Sequence, residues 1–196
     1  MATLKYWLRP LALGLAAVAI CAASASAQTM SLAEQIKHCG TCHGEDGNSN
    51  QASIPSLAGQ PAFFILNQLF LMRERVRKVE TMAAIVQDLN DEDLEALAKH
   101  YAGLVPRRID DQIDPALAKH GAEIAAHRRC GSCHRPDLAG QEQIPRLAKQ
   151  RIDYLIPTLK SYRDQPRPGA DTAMSANIAG ASDAELAALA HYAASL

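Results

Sequence analysis

Two cysteines three positions apart, followed directly by a histidine, occur twice in the chain. The first set is Cys39, Cys42 and His43; the second, 91 residues on, is Cys130, Cys133 and His134. Three chemistries use paired thiols at this spacing. A dithiol redox pair belongs in a strand–helix–strand setting, and none is readable here. A four-thiolate zinc cage would take half of its ligands from each repeat and leave both histidines unexplained. In haem attachment, each thiol adds to a vinyl group and the adjacent imidazole binds the iron. That last chemistry uses every residue of the motif, and it accounts for two motifs as two haem c groups.

A second axial ligand is then needed for each iron. Met174 is the only methionine in the second repeat and lies 40 residues beyond His134, and Met82 lies 39 beyond His43. Repeat alignment favours Met82 over Met72, which falls inside an apolar helix, and over Met30, near the start of the first repeat. Both chosen methionines are expected in loops ahead of a capped helix. His38, His100, His120, His127 and His191 read as helix-surface residues. Histidine–methionine ligation raises the reduction potential and closes the iron. It therefore points to electron transfer rather than to oxygen or peroxide chemistry. Pro55 and Pro145 follow the two motif histidines by 12 and 11 residues. Their carbonyls could accept the imidazole Nδ1–H and fix the ring, or the prolines simply shape a turn.

The elements that must position these groups repeat as well. "IPSLAGQPAFFILNQL" (54–69) matches "IPRLAKQRIDYLIPTL" (144–159), and Tyr101 and Tyr192 are again 91 apart, so the whole unit is duplicated. Each copy reads as helices only. Ser31 with Glu34, Asn90 with Asp93, and Ser182 with Glu185 form capping-box pairs. Asp114 before Pro115 marks another helix start. Apolar residues recur at helical spacing after Asn90 and Ser182, and in segments beginning near Ala62 and Ile152. The proline-flanked, charged "VPRRIDDQIDP" separates the copies. The expected organisation is all-α, with one unit at 28–104, a linker at 105–113 and a second unit at 114–196.

Residues 1–27 have the grammar of an export signal. Lys5 and Arg9 precede the 13-residue apolar run "LALGLAAVAICAA", and Ala25-Ser26-Ala27 offers cleavage after Ala27. The run is shorter than the roughly 17–25 residues of a membrane span. Lipoprotein processing at Cys21 is disfavoured by Ile20. Cleavage removes Cys21 and the single tryptophan, Trp7, and leaves 18 basic against 21 acidic residues. Nothing in that balance points to a nucleic-acid partner, and none is expected. It also leaves few large side chains, so a cofactor is expected to fill each centre. Membrane association would come only through partners or an uncleaved signal.

On the two C-x-x-C-H motifs, "GEDGNS" after His43, "PSLAGQ", the "LNQL" helix and "MAAIVQDLNDEDLEALAKHYA", the sequence resembles the dihaem class I cytochromes c of the cytochrome c4 family. The likeness spans essentially all of the chain after the signal. The second repeat departs from it in "HRPDLAGQEQ", in "AKQ", and in Ala181 at the place of Leu89. The resemblance implies two tandem class I cytochrome c domains packed about a pseudo-twofold axis, haem propionates facing the interface. It implies a periplasmic carrier passing single electrons between a redox donor and acceptor, such as a terminal oxidase. Alternatives are a haem-bearing subunit of a periplasmic dehydrogenase and a dihaem peroxidase, for which the chain is short. The basic stretch "RERVRK" (73–78) reads as a solvated helix face, or as Arg77 or Lys78 neutralising a propionate or steering an acidic partner. Arg128 and Arg129 carry the same two readings.

Overall fold

The computed structural model describes residues 30–108, 112–165, 168–169 and 171–196. The expected signal, with Lys5, Arg9 and Cys21, lies outside the described residues, as does part of the linker. Among the described residues the chain is helical, with one isolated bridge between Gln141 and Ile144. In the first half, α1 is Leu32–His43, α2 Ala62–Arg73, α3 Glu80–Val86 and α4 Asp91–Ala102. In the second, α5 is Pro115–His127, α6 Gly131–His134, α7 Ile152–Asp164, α8 Thr172–Ile178 and α9 Asp183–Ser195.

The helix starts follow from side-chain chemistry. Ser31, Asn90 and Ser182 each accept the backbone N–H three residues on, and Glu34, Asp93 and Glu185 return a carboxylate to the cap N–H. Asp114 caps α5, with Pro115 in the position where its missing N–H costs nothing. Asp93 also accepts from the buried Gln35 amide at 2.8 Å, which ties α1 to α4.

Each half packs its last helix across its first and over its middle one. In the first half Ile65, Leu97, Ala98 and Tyr101 form the core, with Cys39 packed against it. In the second, Ile124, Leu159, Ile178, Leu186 and Leu189 do so, with Cys130 and Met174 against them. Helices α5 and α9 approach most tightly at Gly121, where a β-carbon would lie 2.0 Å from the Ala188 carbonyl oxygen.

The loops repeat in detail. The Gly47 carbonyl accepts from Leu57 and Ala58, and the Leu138 carbonyl accepts from Leu147 and Ala148. The halves also differ. Helix α1 runs unbroken through its motif, whereas α5 stops and the second motif sits on the separate α6, after Arg129 at φ 56°. Gly44, Gly47 and Gly59 adopt φ of 85°, 73° and 65°; Arg135, Leu138 and Lys149 take the same left-handed positions in the second half, at 71°, 52° and 58°.

Candidate haem sites

Each motif ends a helical segment, so successive turns bring both thiols and the imidazole to one wall of a cavity of about 940 Å³ that extends between the halves. Cys39, Cys42, Cys130 and Cys133 are free thiols, and all four line that cavity. Burial pushes the Cys39 and Cys130 thiols up. His43 and His134 are each 7 % exposed. Their Nδ1 atoms lie 2.8 Å from the Pro55 and Pro145 carbonyl oxygens. A carbonyl only accepts, so Nδ1 carries the proton and Nε2 keeps its lone pair. Burial lowers both imidazoles' pKa values, against the opposing pull of the carbonyls, and keeps them neutral at pH 7. A neutral ring held in one tautomer by a backbone carbonyl is what a metal requires of a histidine.

Met82 and Met174 line the same cavity. They sit within the short helices α3 and α8 rather than in the loops expected from the sequence. A seven-residue helix lacks the length for a clear period, so its start was hidden among loop residues. Met72, buried in α2, lines the cavity as well, and Met30 is exposed. Of the other histidines, His38 alone lines the cavity. The Nδ1 of His191 accepts the Asp114 N–H, joining α9 to the start of α5.

The walls are largely apolar, with Ile54, Leu57, Val86, Leu97, Leu138, Leu155 and Leu189 among them. A flat apolar macrocycle fits such walls, and four thiols, two fixed imidazoles and two thioethers supply the donors that haem c needs. The donors suit no dithiol enzyme or zinc cage. Among the described residues no group of three or more histidine, cysteine or carboxylate side chains could hold a metal ion by itself.

Polar contacts between the halves centre on two glutamines that sequence reasoning did not single out. Gln150 accepts the Ser56 N–H at 2.8 Å and donates to the Ser56 carbonyl at 2.9 Å. Gln60 accepts the Arg146 N–H at 2.9 Å and donates to the Arg146 carbonyl at 2.9 Å. All four residues are buried. Ser56 and Arg146 directly follow the prolines that hold the histidines, so each half grips the other's proximal wall. The available signal was the matching register of Gln60 and Gln150 in the repeat. Arg151 adds a bond to the Ser49 carbonyl at 3.1 Å, and Asp153 accepts the Ser53 N–H at 3.0 Å.

The "RERVRK" stretch is not one helix face: α2 ends at Arg73 and the rest is turn. Arg77 is buried, donates to Gln68 at 2.7 Å, and reaches the Tyr154 hydroxyl of the other half at 3.4 Å. Lys78 is exposed. Arg128 donates to the Asn177 carbonyl at 2.6 Å, and Arg129 is exposed.

The cytochrome c family model matches residues 118–196. The chain is 30 % identical to cytochrome c4 of Pseudomonas aeruginosa, over 93 % of both chains. It is 31 % identical to a thiosulfate dehydrogenase electron acceptor of Stutzerimonas stutzeri, over 79 % of this chain and 76 % of that one. Its fold superposes on reduced cytochrome c4 from Pseudomonas stutzeri with a TM-score of 0.75 and 28 % identity, covering 86 % of this chain and all of that one. Likeness across nearly the whole length, with a thiol pair and histidine in each helical half, makes this an electron-transfer protein with two covalently bound haem c groups. The chain belongs to the cytochrome c4 family.

Proposed function

We propose that the protein is a periplasmic carrier that moves one electron at a time between a donor and an acceptor protein. Cys39 and Cys42 would anchor one haem and Cys130 and Cys133 the other; His43 and Met82 would hold the first iron, and His134 and Met174 the second. Cleavage after Ala27 and a division into 28–104, 105–113 and 114–196 complete this reading. Bound haem supplies the one-electron iron couple. The chain's part is to present Nε2 of each histidine by donating its Nδ1–H to a proline carbonyl. It also keeps a thioether over the opposite side and excludes water with aliphatic walls. Because each iron is closed by protein ligands, binding of substrate to iron is not part of the work.

The observation that carries this reading is the single cavity into which both motifs, both methionines and both tethered imidazoles converge. Mass spectrometry of the exported chain under denaturing conditions tests it: the mass is expected to exceed that of the polypeptide from residue 28 by two haems. One haem or none rejects the assignment.

A second reading keeps the chemistry and changes the setting. The likeness to a thiosulfate dehydrogenase electron acceptor supports a subunit docked on a periplasmic dehydrogenase. Gel filtration of a native extract separates the two settings, since a carrier elutes near its own size and a subunit with its enzyme. A terminal oxidase is the acceptor expected for the free carrier.

A further inference from the structure

The reciprocal glutamine grip is symmetric, but the residues gripped are not. The first half places Ser56 there, its hydroxyl accepting the Ser49 N–H at 3.1 Å. The second places Arg146, which is 3 % exposed. Nη1 of Arg146 donates to the Ala148 carbonyl. Nε and Nη2 are buried without a partner, and the side chain lines the cavity. Burial alone lowers its pKa to about 10, with no carboxylate acting on it. At neutral pH Arg146 is therefore a buried cation that no protein anion balances, a costly arrangement unless the cavity receives an anion.

The two unpartnered nitrogens say which anion. Nε–H and Nη2–H lie along one edge of the planar guanidinium and point the same way, which is the edge that takes both oxygens of a carboxylate. Haem c brings carboxylates into this cavity on its propionate arms. Resting on the haem assignment above, we infer that Arg146 is a carboxylate-binding residue for the haem attached at Cys130 and Cys133. Its backbone carries it next to Pro145, whose carbonyl holds His134, so its charge acts on that haem more than on the other. One electron enters from the donor protein and the iron goes from ferric to ferrous; no bond to Arg146 forms or breaks. A fixed positive charge favours the state with the added electron and so raises that haem's potential. Ser56 brings no such charge to the first haem, and the buried guanidinium of the first half, Arg77, is already bonded through both terminal nitrogens to Gln68 and Tyr154.

Haem-resolved redox titration, followed by the paramagnetically shifted haem methyl signals, tests this on the holoprotein. Arg146→Gln is expected to lower the potential of the second haem clearly and that of the first much less, and Arg146→Lys to restore most of the loss. Unchanged potentials in Arg146→Gln, a larger drop at the first haem, or an Arg146→Lys value as low as that of Arg146→Gln overturns the inference. Denaturing mass of each variant keeps this separate from the haem assignment: two haems with unmoved potentials sinks only the role of Arg146. If Arg146→Gln fails to hold both haems, redox difference infrared spectra of the unmutated holoprotein and of Arg146→Lys, each with and without 15N-labelled guanidinium groups, decide. A label-sensitive band that changes on reduction is expected in the unmutated protein and not in Arg146→Lys; its absence from the first or its persistence in the second overturns the inference.

Discussion

At the scale of single residues, the proximal and distal ligands are separable by mutation. Met82→Ala and Met174→Ala are each expected to remove half of the weak near-infrared sulfur-to-iron absorption of the oxidised protein and to open one iron to carbon monoxide. A spectrum unchanged in either variant excludes that methionine. The carbonyls of Pro55 and Pro145 belong to the backbone, so Pro145→Ala keeps the acceptor for His134. That substitution should leave the potentials nearly untouched, while His134→Ala should prevent stable assembly of the second half. The positive-φ positions give a second test at this scale. Where the first half has glycine, Lys149 at φ 58° puts a β-carbon in a conformation that disfavours it by about 1 kcal/mol. Lys149→Gly should raise the denaturation midpoint by a corresponding amount. Gly44→Ala should lower it by more, because its β-carbon would meet the Asn48 carbonyl oxygen at 2.3 Å.

At the scale of elements, the second half depends on how closely α5 and α9 cross. A side chain at Gly121 would press on both the Ala188 backbone and the Tyr192 side chain. Gly121→Val is therefore expected to cost at least the roughly 1–3 kcal/mol of an overpacked core. Differential scanning calorimetry of the holoprotein should show one transition moving down while the other half holds. If both shift together, the halves unfold as one unit. The short helices α3 and α8 have a double role: each presents its methionine to the cavity and buries an aliphatic side chain, Val86 or Ile178. Four helix starts were readable from their caps, because Ser31, Asn90, Asp114 and Ser182 bond to residues two or three positions away, and those of α2 and α7 from apolar periodicity. The ends of α5 and the separate start of α6 were not. They depend on a left-handed turn at Arg129, a residue type that carries no turn signal.

At the scale of the molecule, the grip of Gln60 and Gln150 fixes how the two halves face each other across the shared cavity. The double variant Gln60→Ala/Gln150→Ala removes the partners of five buried backbone groups: the N–H and carbonyl of Ser56, the N–H and carbonyl of Arg146, and the Arg151 N–H. At roughly 1–3 kcal/mol for each buried group left unsatisfied, it should loosen the halves, and small-angle scattering should report a larger radius with both haems retained. An unchanged radius would mean that apolar contacts and the bonds of Arg151, Asp153 and Arg77 hold the pair without the glutamines. Acid should weaken the same surface. Bonds from Arg151 and from the Ser53 N–H hold the Asp153 carboxyl below the usual carboxylate range. Its contribution is fully present above the ordinary carboxylate value. It is lost as pH falls below that value towards the lowered one, when the folded form must take up the proton. Asp153→Asn should flatten the acid limb of the stability curve, measured by denaturant unfolding at stepped pH.

Sequence alone determined what depends on neighbours along the chain: the spacing of thiols and imidazoles, the caps, the duplication and the tally of candidate sulfur ligands. These are local or periodic, so they survive as pattern. The tertiary structure decided what depends on groups far apart in the chain meeting. It made Arg77, which the sequence leaves as either a solvated residue or a partner of a propionate, a buried contact with Tyr154. It joined Gln60 to Arg146 and Gln150 to Ser56 across separations of 86 and 94 residues. It also left two buried guanidiniums, those of Arg77 and Arg146, on the cavity with no protein anion, and only Arg146 with its Nε–Nη2 edge wholly unpartnered. No periodicity encodes such a meeting, because it arises only when two copies of one fold close on each other and the differences between them come into contact.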